Sequence, residues 1–118
     1  MTGPVTVKAG AGLRSEGSRI TGSLKANGAV EIALCDTRTT GSVTLTGGSK
    51  VTLGDPTVAC SPNQMVGPVT VNGTLGPTVI AGNRITGPLA CADNDPAPVN
   101  NGFPNNVTGP KRGQCADL

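Results

Sequence analysis

Apolar residues recur at fixed offsets around a repeated Thr-Gly-Pro or Thr-Gly-Ser phrase. The phrase occurs six times, once with Val in place of Thr, and its glycines are Gly3, Gly22, Gly41, Gly67, Gly87 and Gly109. Counted from each glycine, most residues at positions −2, +2 and +4 are apolar. A spacing of two residues places such side chains on one face of a β-strand. The pattern therefore predicts short strands with one buried face, each beginning after one of these six glycines. We call them the coil-corner glycines, because the chain is expected to turn a corner at each of them.

The spacing of these glycines indicates how the strands are arranged. Successive glycines are 19, 19, 26, 20 and 22 residues apart, and a period near 20 is typical of a chain that winds one unit onto the last. The octets 17–24 and 82–89 share six of eight residues. We therefore predict an all-β fold, a short parallel β-solenoid (β-helix) of about five to six coils with three faces each. A small antiparallel β-sandwich is the alternative; it explains the composition but not the returning offsets.

The chain is expected to form a single domain over residues 1–118. Its 18 Gly and 10 Pro leave no room for a long helix, and pairs such as Asn27-Gly28 and Asn72-Gly73 predict turns. The longest step between glycines predicts a loop over 55–63 that bulges from the wall. Residues 92–118 are expected to cap the C-terminal end, with Phe103 covering the last aliphatic layer, whereas the N-terminal coil lacks a visible cap and should leave its strand edges open.

The four cysteines fall near matching positions of successive coils. Cys35 and Cys60 lie six and seven residues before a coil-corner glycine, and Cys91 and Cys115 lie four and six after one. Stacked residues of neighbouring coils are about 4.8 Å apart, which suits a disulfide. The register therefore predicts the pairs Cys35–Cys60 and Cys91–Cys115. Zinc is disfavoured because the spacings lack close ligand pairs, and two disulfides point to a secreted or cell-surface protein.

Composition argues against catalysis. No His is present, which removes the commonest general base, and the cysteines are better used as disulfides. Glu16, Glu31, Asp36 and Asp55 fall in different columns of the repeat and are expected to be solvated wall positions. We predict no catalytic residue, no metal site and no cofactor.

Two further segments have a functional and a structural interpretation. Asp93-Asn94-Asp95 could hold calcium, but it lacks the glycine and the terminal glutamate of a calcium loop, and a turn is favoured. Thr6, Thr44 and Thr70 share an outward column, as in ice-binding solenoids, but Lys25 and Ala90 interrupt it. Threonines that stabilise a strand surface are the favoured explanation of this column.

Charge and hydropathy exclude other partners. The net charge is +2 and the nine basic residues form no run longer than two, which predicts no electrostatic footprint for nucleic acid. Only one aromatic residue, Phe103, is present, so a platform for stacking bases or sugar rings is not expected. No segment approaches the roughly 18 apolar residues of a membrane span.

The C-terminal third contains four segments that form one pattern of about 34 residues: Gly82 to Cys91, Asp95 to Pro98, Pro104 to Gly109 and Gly113 to Cys115. This pattern resembles a terminal module found on secreted proteins of actinobacteria. The resemblance implies an extracellular location and a terminal position in a longer polypeptide, with no catalytic residues. Residues 1–55 resemble bactofilins, which are filament-forming β-helices; these are cytoplasmic and lack the disulfide pattern, so this likeness supports the architecture alone.

Together these features predict a non-catalytic structural or adhesive module, either a rigid spacer or a self-associating platform on a secreted protein. Its partner would be another copy, paired edge to edge, or a cell-surface polymer. The alternatives are a module that binds cell-wall or other polysaccharide and an ice-binding solenoid.

Overall fold

The computed structural model describes residues 3–118 and confirms a parallel β-solenoid of about five turns. Every pairing between its named strands is parallel, so the antiparallel sandwich is wrong. The strands are β1 (Val5–Val7), β2 (Gly12–Glu16), β3 (Arg19–Thr21), β4 (Leu24–Asn27), β5 (Glu31–Cys35), β6 (Arg38–Thr40), β7 (Val43–Thr46), β8 (Val51–Leu53), β9 (Gln64–Val66), β10 (Val69–Asn72), β11 (Thr78–Ile80), β12 (Arg84–Thr86), β13 (Leu89–Ala92), β14 (Asn106–Val107) and β15 (Lys111–Gly113).

The strands stack into three sheets, one on each face of the solenoid. Sheet 1 has the order β1-β4-β7-β10-β13-β15, sheet 2 the order β2-β5-β8-β11, and sheet 3 the order β3-β6-β9-β12-β14. Each of the first four coils contributes one strand to each sheet, so a residue lies directly over its equivalent one coil away. Val5, for example, pairs with Leu24, and Leu24 pairs with Val43.

The coil-corner glycines lie where the chain passes from sheet 3 to sheet 1. Gly3, Gly22, Gly41, Gly67 and Gly87 have φ between 102° and 138°, a conformation that L side chains rarely adopt. Their backbones also stack closely, since a Cβ on Gly41 would lie 2.6 Å from the carbonyl oxygen of Gly22. Glycine is required here both by the turn and by this approach of one coil to the next.

The core is a set of aliphatic columns that run along the solenoid axis. The column after the corner contains Leu24, Val43, Val69 and Leu89, all at most 1% exposed. The column before the corner contains Ile20, Met65 and Ile85, all fully buried. Most of these side chains stack on an aliphatic one from the next coil, with buried Thr39 between Ile20 and Met65 as the exception. A chain with a single aromatic residue therefore still buries a continuous interior.

A ladder of side-chain amides lines the corner between sheets 2 and 3. Asn63, Asn83 and Asn105 occupy the same position in successive coils and are buried. The side-chain oxygen of Asn83 accepts from the backbone N–H of Asn63 at 2.9 Å, and that of Asn105 accepts from the N–H of Asn83 at 2.9 Å. The Asn63 oxygen accepts in the same way from Thr37. The ladder satisfies backbone donors that a tight corner leaves without a strand partner.

The predicted disulfides are confirmed, and each joins neighbouring coils. The Cα atoms of Cys35 and Cys60 are 4.9 Å apart, and those of Cys91 and Cys115 are 5.3 Å apart. The insertion before Cys60 forms a 3-10 turn, Pro56–Val58, that leaves the wall between β8 and β9. In a chain-entropy model a bridge that closes such a loop of about 25 residues contributes about 3 kcal/mol.

The expectation that Phe103 covers the last aliphatic layer is wrong. Its side chain is 42% exposed, whereas Leu118 is 7% exposed and belongs to the core cluster. The segment before Phe103 continues sheet 2 at the edge of β11, where Val99 forms a parallel bridge with Val79. The Phe103 carbonyl then accepts from the N–H of Gly82, so the backbone of Phe103 stacks on the preceding coil while its side chain stays outside the core cluster.

Candidate functional site

The first coil presents three strand edges that have no neighbour within residues 3–118. β1, β2 and β3 each stand at the end of their sheet. The N–H of Val5 donates to the carbonyl of Ser23 in the second coil. Backbone groups of successive strand residues point to opposite sides, so the N–H and C=O of Thr6 face outward from this end. Val5 and Leu13 are only partly buried beside these edges.

At the opposite end, the last residues of the described chain close part of the last coil. The carbonyl of Leu118 accepts hydrogen bonds from the backbone N–H and the side-chain amide of Asn105, at 2.8 and 3.1 Å. Asn94 and Gln114 form a second amide pair, in which the side-chain oxygen of Gln114 accepts from the backbone N–H of Asn94 at 2.9 Å. Within residues 3–118 the two ends therefore differ. The first coil leaves backbone groups of its strands without a partner, whereas at the last coil the Leu118 carbonyl and the Gln114 side chain bond to the chain itself.

The predicted dispersion of carboxylates agrees with the strand register for Glu16 and Glu31. Glu16 pairs with Cys35, and Glu31 pairs with Gly12, so the two acids stand in different columns of sheet 2. Glu16 lies 3.9 Å from Arg14, and Glu31 lies 3.8 Å from Lys50. Both pairs are exposed and contribute little to stability.

Asp55 is not the solvated wall residue that the sequence predicts. It is buried at the start of the 3-10 turn, where its carboxylate accepts from the N–H and the hydroxyl of Thr57. The side-chain amide of Asn101 donates to both carboxylate oxygens at 3.3 Å. Burial alone raises the pKa of Asp55, but the hydrogen bonds from Thr57 and Asn101 outweigh it and hold the pKa below the ordinary value of 3.8.

Asp55 should make the stability of the insertion depend on pH. Since the folded pKa lies below the unfolded one, this contribution is fully present above pH 3.8 and is lost as the pH falls further through the folded pKa. We expect Asp55→Asn to unfold at lower urea than the parent at neutral pH and to lose less stability on acidification. Urea titrations at neutral pH and below pH 3.8 measure the stability of each protein and its loss on acidification. An identical acid response in the two proteins would contradict the assignment.

The Asp93-Asn94-Asp95 triplet and the threonine column of sheet 1 both occupy positions that their structural interpretation explains. Asn94, at the centre of the acidic triplet, is buried; its side chain donates to the Val71 carbonyl and accepts from the N–H of Thr74. This side chain therefore hydrogen-bonds the backbone of a corner from inside the solenoid, which agrees with the turn interpretation. The threonine column of sheet 1 is interrupted as expected, because Thr6 pairs with Lys25 and Thr70 pairs with Ala90.

Sequence reasoning missed a column of basic residues on the outward face of sheet 3. Arg19 pairs with Arg38, Arg38 with Gln64, and Gln64 with Arg84. All four side chains are exposed. We call these four residues the arginine column. Its members lie three residues before successive coil-corner glycines, a signal that the aligned repeat contains but a search for charge runs does not detect.

A shallow groove of about 300 Å³ runs beside the arginine column. Arg38, Gln64 and Arg84 line it, together with the edge of the amide ladder at Asn63 and with Gly82. Phe103 lies next to this groove, since its Cβ is 3.8 Å from where a Cβ on Gly82 would stand. The groove thus combines the two guanidinium groups with the side-chain amides of Asn63 and Gln64 and with Asp36.

The chain matches no protein-family model, and no curated protein or solved structure is detectably similar to it. The resemblances to actinobacterial secreted modules and to bactofilins therefore stay predictions. In the part of the chain that the structure describes, no helix has the length and apolar character needed to cross a membrane. No group of three or more His, Cys, Asp or Glu side chains lies close enough to hold a metal ion within residues 3–118.

Proposed function

We propose that this chain is a non-catalytic structural module that works outside the cell. In this proposal it is a rigid solenoid that pairs with a second copy through its first coil. The open edges of β1, β2 and β3 are the observation on which the proposal depends. Unpaired parallel edges are templates for further strands, and natural proteins usually cover or charge them.

Shape at the open end supports pairing with another chain. Gly3 has φ 102°, as other corner glycines do, yet nothing lies within 4 Å of where its Cβ would stand. Gly22 one coil later has the carbonyl of Gly3 at 2.5 Å in the same place. The first corner therefore has the backbone conformation that receives a neighbouring coil. The partly buried Val5 and Leu13 add apolar surface that association would cover.

The difference between the two ends favours a dimer over a filament. Growth by head-to-tail stacking needs two complementary ends, but Leu118 and Asn105 close one corner of the C-terminal end. Two open ends that face each other give a closed, isologous pair. The extracellular part of the proposal is supported by the two disulfides, which persist in oxidising compartments.

We expect Thr6→Pro to convert the dimer to a monomer. Proline removes the outward N–H of this edge strand, while the bond from Val5 to Ser23 remains. Light scattering after gel filtration should give a mass near twice 11.6 kDa for the parent and near 11.6 kDa for the variant. Thermal melting by circular dichroism checks that the variant is folded.

Lys111→Pro is the matched control, because Lys111 in the edge strand β15 also has its backbone groups facing outward, at the opposite end of sheet 1. The Leu89 N–H donates to the carbonyl of Pro110, so the backbone groups of Lys111 point away from the solenoid. This variant should stay dimeric. A monomeric parent at high concentration, or dissociation by both prolines alike, would overturn the proposed pairing.

A further inference from the structure

Three members of the arginine column, Arg38, Gln64 and Arg84, are exposed on one face of sheet 3. Within residues 3–118, the guanidinium groups of Arg38 and Arg84 and the side-chain amide of Gln64 make no hydrogen bond or ion pair. On sheet 2, by contrast, Arg14 and Lys50 each lie beside a glutamate. The charges of Arg38 and Arg84 are therefore available to a ligand outside the fold.

The β-scaffold fixes the separation and direction of these charges. Arg38 and Arg84 are two coils apart with Gln64 between them, which corresponds to about 10 Å along the axis. All three side chains leave the sheet on the same side. Because the strands hold their backbones rigidly, little conformational freedom of the backbone is lost when a ligand bridges them.

The side chains of the groove select the chemistry of the ligand. A guanidinium group binds carboxylate or sulfate oxygens with two parallel hydrogen bonds. The Gln64 amide both donates and accepts, which suits a hydroxyl group located between two anionic groups. Phe103 is 42% exposed, and its Cβ lies near Gly82, a residue that lines the groove.

We propose that the outward face of sheet 3 binds an acidic polysaccharide that lies along the solenoid axis. Arg38 and Arg84 hold two of its anionic groups, and Gln64 bonds a sugar hydroxyl between them. A single aromatic residue does not provide the successive stacking platforms that single-stranded nucleic acid uses, so the glycan is favoured. Asp36 also lines the groove and repels an anionic group placed beside it, so the anionic groups of the glycan are expected at Arg38 and Arg84.

Binding is tested by titration calorimetry at physiological salt with four probes. Polygalacturonate carries carboxylates, dextran sulfate carries sulfates, dextran is neutral, and a single-stranded oligodeoxythymidylate is a nucleic acid. We expect one or both acidic glycans to bind and dextran not to bind, with the carboxylated and sulfated probes identifying the preferred anion. No binding to either acidic glycan, or tighter binding to the oligonucleotide, would overturn the proposal.

The double variant Arg38→Gln/Arg84→Gln tests the location of the site. It should weaken binding at least about ten-fold, since two charge-assisted contacts are removed. The control is Lys25→Gln/Arg112→Gln, which removes the same charge from exposed positions in one outward column of sheet 1. The control should weaken binding less than about two-fold, by long-range electrostatics alone. Equal weakening in both variants would show that only net charge matters and would reject this site.

Phe103→Ala separates glycan recognition from simple ion exchange. We expect it to weaken binding several-fold without changing the dependence on salt, because it removes an apolar contact and no charge. The column runs along the side of the solenoid, so Thr6→Pro should bind the glycan as the parent does. Loss of binding in that variant would place the ligand at the open end and would count against sheet 3.

Discussion

Replacing Gly41 with alanine is expected to destabilise the solenoid by at least about 4 kcal/mol, close to the whole stability of many small domains. Gly41 has φ 128°, and an added Cβ would lie 2.6 Å from the carbonyl oxygen and 2.7 Å from the carbonyl carbon of Gly22. Both are backbone atoms, so no side chain can move aside. The coils would have to separate locally, which would break strand pairing on either side of the corner.

Gly47→Ala is the matched control for this prediction. Gly47 also has positive φ, at 63°, but the nearest atom to its added Cβ is 3.8 Å away. Alanine adopts this left-handed conformation at a cost of about 1 kcal/mol. Since the chain has no Trp or Tyr, urea unfolding should be followed by circular dichroism. Comparable losses in the two variants would mean that close stacking of corner glycines contributes little.

Asn83→Ala is expected to reduce the free energy of unfolding by about 4 kcal/mol, because it leaves buried polar groups unpaired and opens a cavity. Asn83 is fully buried. Its oxygen accepts from the backbone N–H and the side-chain amide of Asn63, at 2.9 and 3.0 Å. Its own amide donates to the carbonyl of Leu53. Alanine removes all of these bonds at once.

Hydrogen exchange gives a local measurement of the same prediction. The Asn63 N–H should lose its protection in Asn83→Ala, since its acceptor is removed. Asn27→Ala, at an exposed position of β4, should change stability by less than about 0.5 kcal/mol. If the Asn63 N–H stayed protected in the Asn83 variant, the amide ladder would not be what provides acceptors for the backbone donors of this corner.

These two predictions concern the same corner problem in different ways. A parallel solenoid turns sharply three times per coil, and each turn interrupts the hydrogen bonding of a sheet. Between sheets 3 and 1 the chain solves this with glycine and close backbone stacking, as at Gly22 and Gly41. Between sheets 2 and 3 it uses the buried amides of Asn63, Asn83 and Asn105. A solenoid with a thin core depends on such corners for much of its specificity.

Several features of the structure were visible in the aligned repeat but were not recognised. The asparagines of the amide ladder lie four residues before the last three corner glycines, where an asparagine after a proline or a glycine is easily interpreted as a turn residue. The arginine column occupies the next position, and its members are 19 to 26 residues apart in sequence. Charge patterns are usually sought as runs, whereas a solenoid brings together residues that are one full coil apart.

The sequence by itself determined the parallel winding, the burial of the aliphatic columns and both disulfides. It did so because each coil repeats the same local environment, and equivalent positions must then stack at strand separation. Tertiary structure decided what the repeat does not encode. Phe103 lies on the outer wall and Asp55 is buried against Asn101, because their positions follow from the paths of two irregular loops that meet across 46 residues of chain. Loop paths depend on contacts made once, and periodicity carries no information about them.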